Sequence, residues 1–258
     1  MRKVCLLRVF CIVCFWFGLL GCPQQHKKPT YFDENADGIL NNLRACQSKM
    51  TALSGVLQTT TWREGERVRL EQLFLRSSEG NLRIDTLSPM GQPLSTVVFD
   101  GGKITVYDQN SRQFFVGSAD REVVKQFLFI DLPPDDLSTL LGGCSPFTRG
   151  VATPLTWEET TGRIRFELSK EEETHTVWIE NQTDVRKVEF RNQEAVSTLF
   201  MGAYATKAGH KRPMRFKFED TNQNLEIEIK ISELNILETI GGSPFTLTPP
   251  PGVEAQPL

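Results

Sequence analysis

The chain has 258 residues, with 29 Lys and Arg against 32 Asp and Glu and a formal net charge of −3. That length suffices for one sizeable core. Its cations are not gathered into a basic stripe, which excludes a nucleic-acid footprint.

Arg2, Lys3 and Arg8 precede or flank an apolar run that ends at Leu20, before Gly21 and Cys22. A basic start, an apolar middle and a small residue before the cut describe a secretory signal peptide. Val4 to Leu20 contains Arg8 and is short for a membrane span. Leu19-Leu20-Gly21-Cys22 resembles the lipobox of bacterial lipoproteins. The resemblance implies that residues 1–21 are removed and that Cys22 is diacylated, becomes the N-terminus and is acylated again. The chain is then held to a membrane by lipid. Pro23 stands where some bacteria place an aspartate for inner-membrane retention, so the address resembles that of an outer-membrane protein facing the periplasm. Loss of three cations and no anions takes the net charge from −3 to −6. Residues 22–32, with His26, Lys27 and Lys28, read as a solvated, lipidated tether, and residues 33–258 as one domain.

A helix is predicted from about Asp33 to Ala52, where Ile39, Leu40, Leu43, Cys46 and Met50 form one apolar stripe and Asp33 or Asn35 caps the start. The period then changes to two. Strands are predicted over 67–76, 81–87, 94–100, 103–107 and 113–116, joined by turn residues as in an antiparallel meander. Asp120 to Ile130 reads as a second helix, broken by Pro133-Pro134. Asp135 to Leu141 reads as a third, ended by Gly142-Gly143. Strands resume over 155–160, 164–169, 174–180, 186–190, 197–204, 214–218 and 225–231. Cys46 and Cys144 are the cysteines left beyond the lipobox. They read either as a disulfide or as two buried thiols.

No chemistry-bearing constellation stands out. His26, His175 and His210 lack spacing partners, and the sequence contains no nucleophile elbow, P-loop or dinucleotide fingerprint. Glu171-Glu172-Glu173 reads as a solvated hairpin turn. A non-catalytic protein without a cofactor or metal is the expectation. A curved antiparallel sheet with helices and no reactive group suits a protein that holds something apolar.

Three stretches carry a further resemblance. They are Ile39–Leu43 through Leu53–Gln58, then Leu87-Ser88-Pro89-Met90-Gly91 through Asp100–Asp108 to Leu137–Gly143, and last the tail Phe245–Glu254. Their order and spacing resemble the lipoprotein-localisation family, which comprises the periplasmic carrier LolA and the outer-membrane receptor LolB. The order of hairpin, helix, proline break and short helix is closest to the receptor. The resemblance implies a single curved, unclosed antiparallel half-barrel of about 11–12 strands with about three helices on its concave side. It also implies a cavity for the acyl chains of lipoproteins, which the protein helps to localise to the outer membrane. In the receptor an exposed loop carries an apolar residue implicated in delivery to the membrane. The corresponding positions here are Pro89, Met90 and Gly91, although Ser88 and Met90 replace the usual asparagine and leucine. The expected cavity lining is Leu70, Phe74, Ile84, Val97, Phe99, Val106, Phe127, Leu128, Trp157, Phe166, Trp178 and Phe216. Arg76 falls near the place of an arginine that holds the carrier's helical lid, but its surroundings do not match the motif and it reads as a solvated strand end. The expected partners are lipoproteins or their acyl chains, a periplasmic lipoprotein carrier, and the membrane through the anchor, with the protein itself a monomer. The alternative is a structural or assembly lipoprotein of the cell envelope, in which the same fold has a filled core and binds protein at its edge.

Overall fold

The computed structural model describes residues 25–30, 32–170, 173–191, 196–207, 209–238, 240 and 243–258. The signal segment and Cys22 lie outside the described residues. Helix α1 (Asp37–Gln47) is shorter than its apolar stripe suggests, because the chain turns extended at Ala52. Asp33 and Asn35 do not cap it. The Asn35 amide donates to the Asp33 carboxylate at 3.0 Å and the Asp37 amide to the Asn35 side chain at 2.8 Å, two successive Asx turns that lead the chain into the helix. Ile39, Leu40 and Leu43 bury its inner face.

Six strands follow: β1 (Ala52–Arg63), β2 (Glu66–Arg76), β3 (Leu82–Leu87), β4 (Pro93–Asp100), β5 (Lys103–Asp108) and β6 (Gln113–Ser118). Two helices interrupt them. Asp120 caps α2 (Arg121–Leu128) by accepting the Val123 amide at 2.9 Å. In α3 (Pro134–Leu141) proline occupies the first turn, where its missing N–H costs nothing. The second run of strands is β7 (Val151–Ala152), β8 (Thr156–Glu158), β9 (Arg163–Lys170), β10 (Glu173–Glu180), β11 (Asp184–Arg191), β12 (Val196–Gly202), β13 (Ala205–Lys207), β14 (His210–Arg212), β15 (Arg215–Asp220), β16 (Leu225–Leu237) and β17 (Ala255–Pro257).

Fifteen of these strands form one sheet, in the order β17-β6-β5-β4-β3-β2-β1-β16-β15-β12-β11-β10-β9-β7, with β8 also on β9. The central seam joins β1 to β16, so the last long strand closes against the first. All pairings are antiparallel except β17 on β6. The two ends of this path do not meet, and the sheet is an open, curved half-barrel rather than a closed barrel. Irregularities at Val56/Leu57, Thr86/Leu87 and Trp178/Ile179 add local bends. The strand count exceeds the sequence expectation because β7, β13, β14 and β17 have two or three residues each, too few to show a period, and because β1 carries the run Thr59-Thr60-Thr61, which does not alternate.

Two fastenings hold the helices to this sheet. A disulfide joins Cys46 in α1 to Cys144 just after α3, with Cα atoms 5.8 Å apart and a sequence separation of 98. Gln47 reinforces it by donating to the Ser145 carbonyl at 2.6 Å, and Arg44 by donating to that of Thr148 at 2.9 Å. The second fastening is Arg76 at the end of β2, which is 1% exposed and not a solvated strand end. Its Nε donates to the carbonyl and hydroxyl of Ser138 in α3 at 3.0 and 3.1 Å, and its Nη1 to the carbonyls of Thr51 and Ser77 at 3.2 and 2.9 Å. The Ser138 hydroxyl in turn donates to the Gly80 carbonyl at 2.7 Å. Burial pulls the Arg76 pKa down, and Glu79 nearby acts in the opposite direction.

The disulfide closes a long loop, so a Cys46→Ser/Cys144→Ser variant is expected to fold but to lose about 2–4 kcal/mol in chemical denaturation. A loss below about 0.5 kcal/mol would show that the cross-link constrains little. Arg76→Leu leaves buried carbonyls without a donor and is expected to cost about 2–4 kcal/mol. Arg76→Lys should not restore stability, since a single ammonium cannot reproduce the planar fork. Rescue by lysine would mean that charge, not hydrogen-bond geometry, seats α3.

Candidate apolar cavity

Strand alternation builds one wall of a gap. On β1 the residues Leu57, Thr59, Thr61 and Arg63 face the helices, and on β2 so do Glu66, Val68, Leu70 and Gln72. Ile84 and Thr86 of β3, Ser95 and Val97 of β4, and Ile229 of β16 extend the wall. Opposite stand Phe127 to Ile130 from the end of α2, with Leu137 and Leu141 of α3. The space between wall and helices, open at one end, is about 540 Å³, within the ~300–1,000 Å³ common for small-molecule sites.

The same alternation ends the gap. Beyond Gln72 the next residues on that face are Phe74 and Arg76, both buried. The Phe74 ring lies so close to Gly55 that a Cβ there would stand 2.6 Å from it and 2.3 Å from the Glu233 carbonyl. Glycine at 55 is therefore what lets an aromatic ring fill this end. At the other end the β1–β2 hairpin turns through Glu64 and Gly65, both at positive φ. There Arg63, Glu64, Glu66 and the half-exposed Val68 form a mouth. Phe129 stands across it, 45% exposed, with the Arg63 guanidinium 6.0 Å from its ring centre. Phe129 takes the left-handed conformation (φ 59°) that ends α2, its amide donating to the Lys125 carbonyl at 3.0 Å.

A polar stripe crosses the apolar wall and satisfies itself. Thr59 Oγ1 donates to Gln72 Oε1 at 2.6 Å, and Gln72 Nε2 donates to Thr86 Oγ1 at 3.1 Å. The wall thus needs no polar partner from an occupant. Helix α2 is steadied from outside the gap. Phe127 packs against Phe115 of β6 with ring centres 6.2 Å apart, and Arg121 pairs with Asp131 and with Glu173 of β10. Glu173, expected in a solvated turn, is therefore an anchor for α2, while residues 171–172 lie outside the described residues. His175 packs edge-on to Phe147 and Phe190, and burial lowers its pKa.

Of the residues expected to line a cavity, the fold brings Leu70, Ile84, Val97, Phe127 and Leu128 together on this gap. The other seven are elsewhere. Phe74 and Phe99 sit on the same face beyond its closed end, and Val106 pairs with Val97 one strand further out. Phe216 pairs with Ile229 one strand beyond the wall on the other side, fully buried. Phe166 shares the inner face of the distant half of the sheet, where it pairs with Val177. Trp178, next in line, points to the outer face and lies under Lys187 and Arg165, 4.5 and 5.8 Å from its ring centre. Trp157 donates to the His26 carbonyl at 2.9 Å and meets Phe32 edge-on, beneath the tether. Sequence reading missed Leu57, Ile130, Leu137, Leu141 and Ile229. The i, i+4 spacing of Leu137 and Leu141 was the one available signal for the α3 side.

Pro89, Met90 and Gly91 form the β3–β4 turn. Ser88 Oγ accepts the Met90 and Gln92 amides at 3.3 and 3.1 Å, and Gly91 has φ +76°. Met90 is 89% exposed. The register pairs Glu71 with Leu87 and Arg63 with Glu66, so this turn lies at the same end of the sheet as the mouth. No metal-binding group of three His, Cys, Asp or Glu occurs among the described residues, and no described helix is long and apolar enough to cross a membrane.

No protein-family model matches the sequence, and no curated protein does. Solved structures do. A domain from Vibrio parahaemolyticus, assigned to outer membrane lipoprotein sorting, superposes with a TM-score of 0.62 at 14% identity, over 80% of this chain and 94% of that one. A LolA superfamily protein from Nitrosomonas europaea gives 0.60 at 14% identity, over 82% and 97%. A DUF1329 family protein from Desulfovibrio piger gives 0.64 at 12% identity, over 83% and 98%. The open half-barrel with its covering helices is the fold shared with these LolA-superfamily and lipoprotein-sorting structures.

Proposed function

We propose that this chain is a lipid-anchored envelope protein that takes acyl chains of lipoproteins into the gap under α2 and α3 and helps to localise them to the outer membrane. The observation that carries the reading is the gap of about 540 Å³, walled mainly by aliphatic and aromatic side chains with a self-satisfied polar stripe, closed at one end and open at a charged mouth. The fold supports it, because neighbours sharing it include a domain assigned to lipoprotein sorting. The disulfide supports an oxidising compartment, as does the signal-like start with Cys22.

The proposed mechanism contains no covalent step. Each buried methylene is worth about 0.8 kcal/mol. A chain moving from one carrier's cavity into this one exchanges like for like, so direction comes from small differences in affinity and from the final bilayer. Met90 projects from the mouth end of the sheet and serves as the membrane contact in this reading. Burying it in a bilayer is worth about 1.5–3 kcal/mol, enough to orient a loop and too little to anchor a domain.

A fluorescent fatty acid is expected to bind the purified protein saturably, and filling the wall with Ile84→Trp and Val97→Trp should weaken binding at least about tenfold while circular dichroism stays unchanged. Equal affinity in the filled variants would remove the gap from the mechanism. A protein that binds no fatty acid and captures one envelope protein would favour the assembly role instead. Met90→Glu is expected to leave fatty-acid binding intact and to reduce lipoprotein transfer to vesicles about tenfold. Unchanged transfer would remove Met90 from delivery.

A further inference from the structure

A second pocket lies at the opposite end of the sheet, away from the mouth and Met90. Its volume is about 380 Å³. Its lining comes from α1 (Asn42, Cys46, Lys49), from the link into β1, from the end of α3 (Gly142 to Cys144), and from the β13–β14 hairpin (His210, Lys211, Arg212). Lysines, an arginine and a histidine line it, and no carboxylate does. Lys211 is already paired with Asp184, which leaves Lys49 and Arg212 as its uncompensated cations among the described residues.

Arg212 is the unusual member. It is 5% exposed, yet no described carboxylate pairs with it. Among the described residues its one side-chain hydrogen bond runs from Nη1 to the Gly142 carbonyl at 3.4 Å, and its buried Nε has no partner. Burial depresses its pKa. Arg76, a few residues away across Gly142, shows how this fold treats a structural arginine, giving its guanidinium four hydrogen bonds. A buried cation left without a counter-charge is costly, and an anion is the remedy. Gly143 makes room for the Arg212 side chain itself. At φ +86° it bears no Cβ, and one placed there would stand 2.8 Å from the Arg212 Cβ.

We propose that this pocket binds an anion bearing a phosphate ester, with Arg212 as the fixed charge at its wall and Lys49 and His210 at its rim. Guanidinium and ammonium groups around a concave site suit phosphate oxygens, and the volume leaves room for a small organic group attached to the phosphate. The site is independent of the acyl gap and lies at the other end of the molecule. The phosphate can belong to a free metabolite or to a phospholipid headgroup, and the choice of probe separates them.

Isothermal calorimetry on the full chain in detergent, titrated with glycerol 1-phosphate and with the diester glycerophosphoglycerol, tests the site. Saturable binding with Kd below about 1 mM is expected for at least one probe. Preference for the diester identifies a lipid headgroup as the source, and preference for the monoester a soluble phosphate. Lys49→Gln, at an exposed position, and Arg212→Gln should each weaken binding at least about tenfold and leave fatty-acid binding unchanged. No saturable heat up to about 10 mM of either probe, or the same affinity in the folded Lys49→Gln variant, would overturn the proposal.

Discussion

The stand-off between α3 and the sheet rests on the buried guanidinium of Arg76. Its four hydrogen bonds reach a helix, the end of one strand and the entry to another, and none of the four acceptors is a carboxylate. A hydrophobic contact would draw the helix down until side chains met. A planar fork bonded to carbonyls instead sets a distance and an angle, since hydrogen bonds lose strength steeply off-line. The helix is held at one end, against the filled region of Phe74, and the space opens from there toward Phe129 and the β1–β2 hairpin. The disulfide from Cys46 to Cys144 acts on the same junction, fixing α1 to the residue that follows the α3 glycines. Cover and wall are therefore joined at the closed end, while Val68 and Phe129 stand exposed at the open end.

The wall itself follows from a sheet that bends. Facing residues change from strand to strand, with Thr59, Gln72 and Thr86 lending a hydrogen-bonded stripe and Leu57, Leu70, Ile84, Val97 and Ile229 supplying apolar surface. Where large rings occupy the inner face, as with Phe74, Phe166 and Phe216, the interior is packed. Where threonine, glutamine and serine replace them, space remains. The gap is thus a local deficit of side-chain volume on one part of a continuous face, held open by helices that cannot descend.

Much of this fold was legible in the sequence, for reasons that are local. Asp120, Pro133-Pro134 and Gly142-Gly143 mark helix ends by cap and breaker chemistry, and period-two runs mark the longer strands. What failed was tertiary. Strand β1 carries Thr59-Thr60-Thr61, a run without alternation, so only resemblance to a known family pointed to it. Arg76 looks like any strand-end arginine until Ser138 arrives from far along the chain. Trp178 has the bulk expected of a cavity residue, but its register turns it to the outer face beneath Lys187. Cys46 and Cys144 sat equally well as thiols or as a bridge, because nothing in the intervening residues reveals that their backbones meet. The side of the gap that the sequence showed best is the strand wall, where alternation specifies a face. The helix side needed the packing of α2 and α3 to be known.

The central claim is that an acyl chain enters the space between the β1–β4 wall and the ends of α2 and α3. A crystal of the protein soaked with a fatty acid brominated along its chain tests this most directly, through the anomalous signal of bromine. The account predicts bromine peaks between Leu70, Val97 and Leu128, with the carboxylate toward Arg63 at the mouth. Peaks confined to the outer surface, or a gap found closed by Phe127 and Phe129 turned inward with no peak in it, would contradict it.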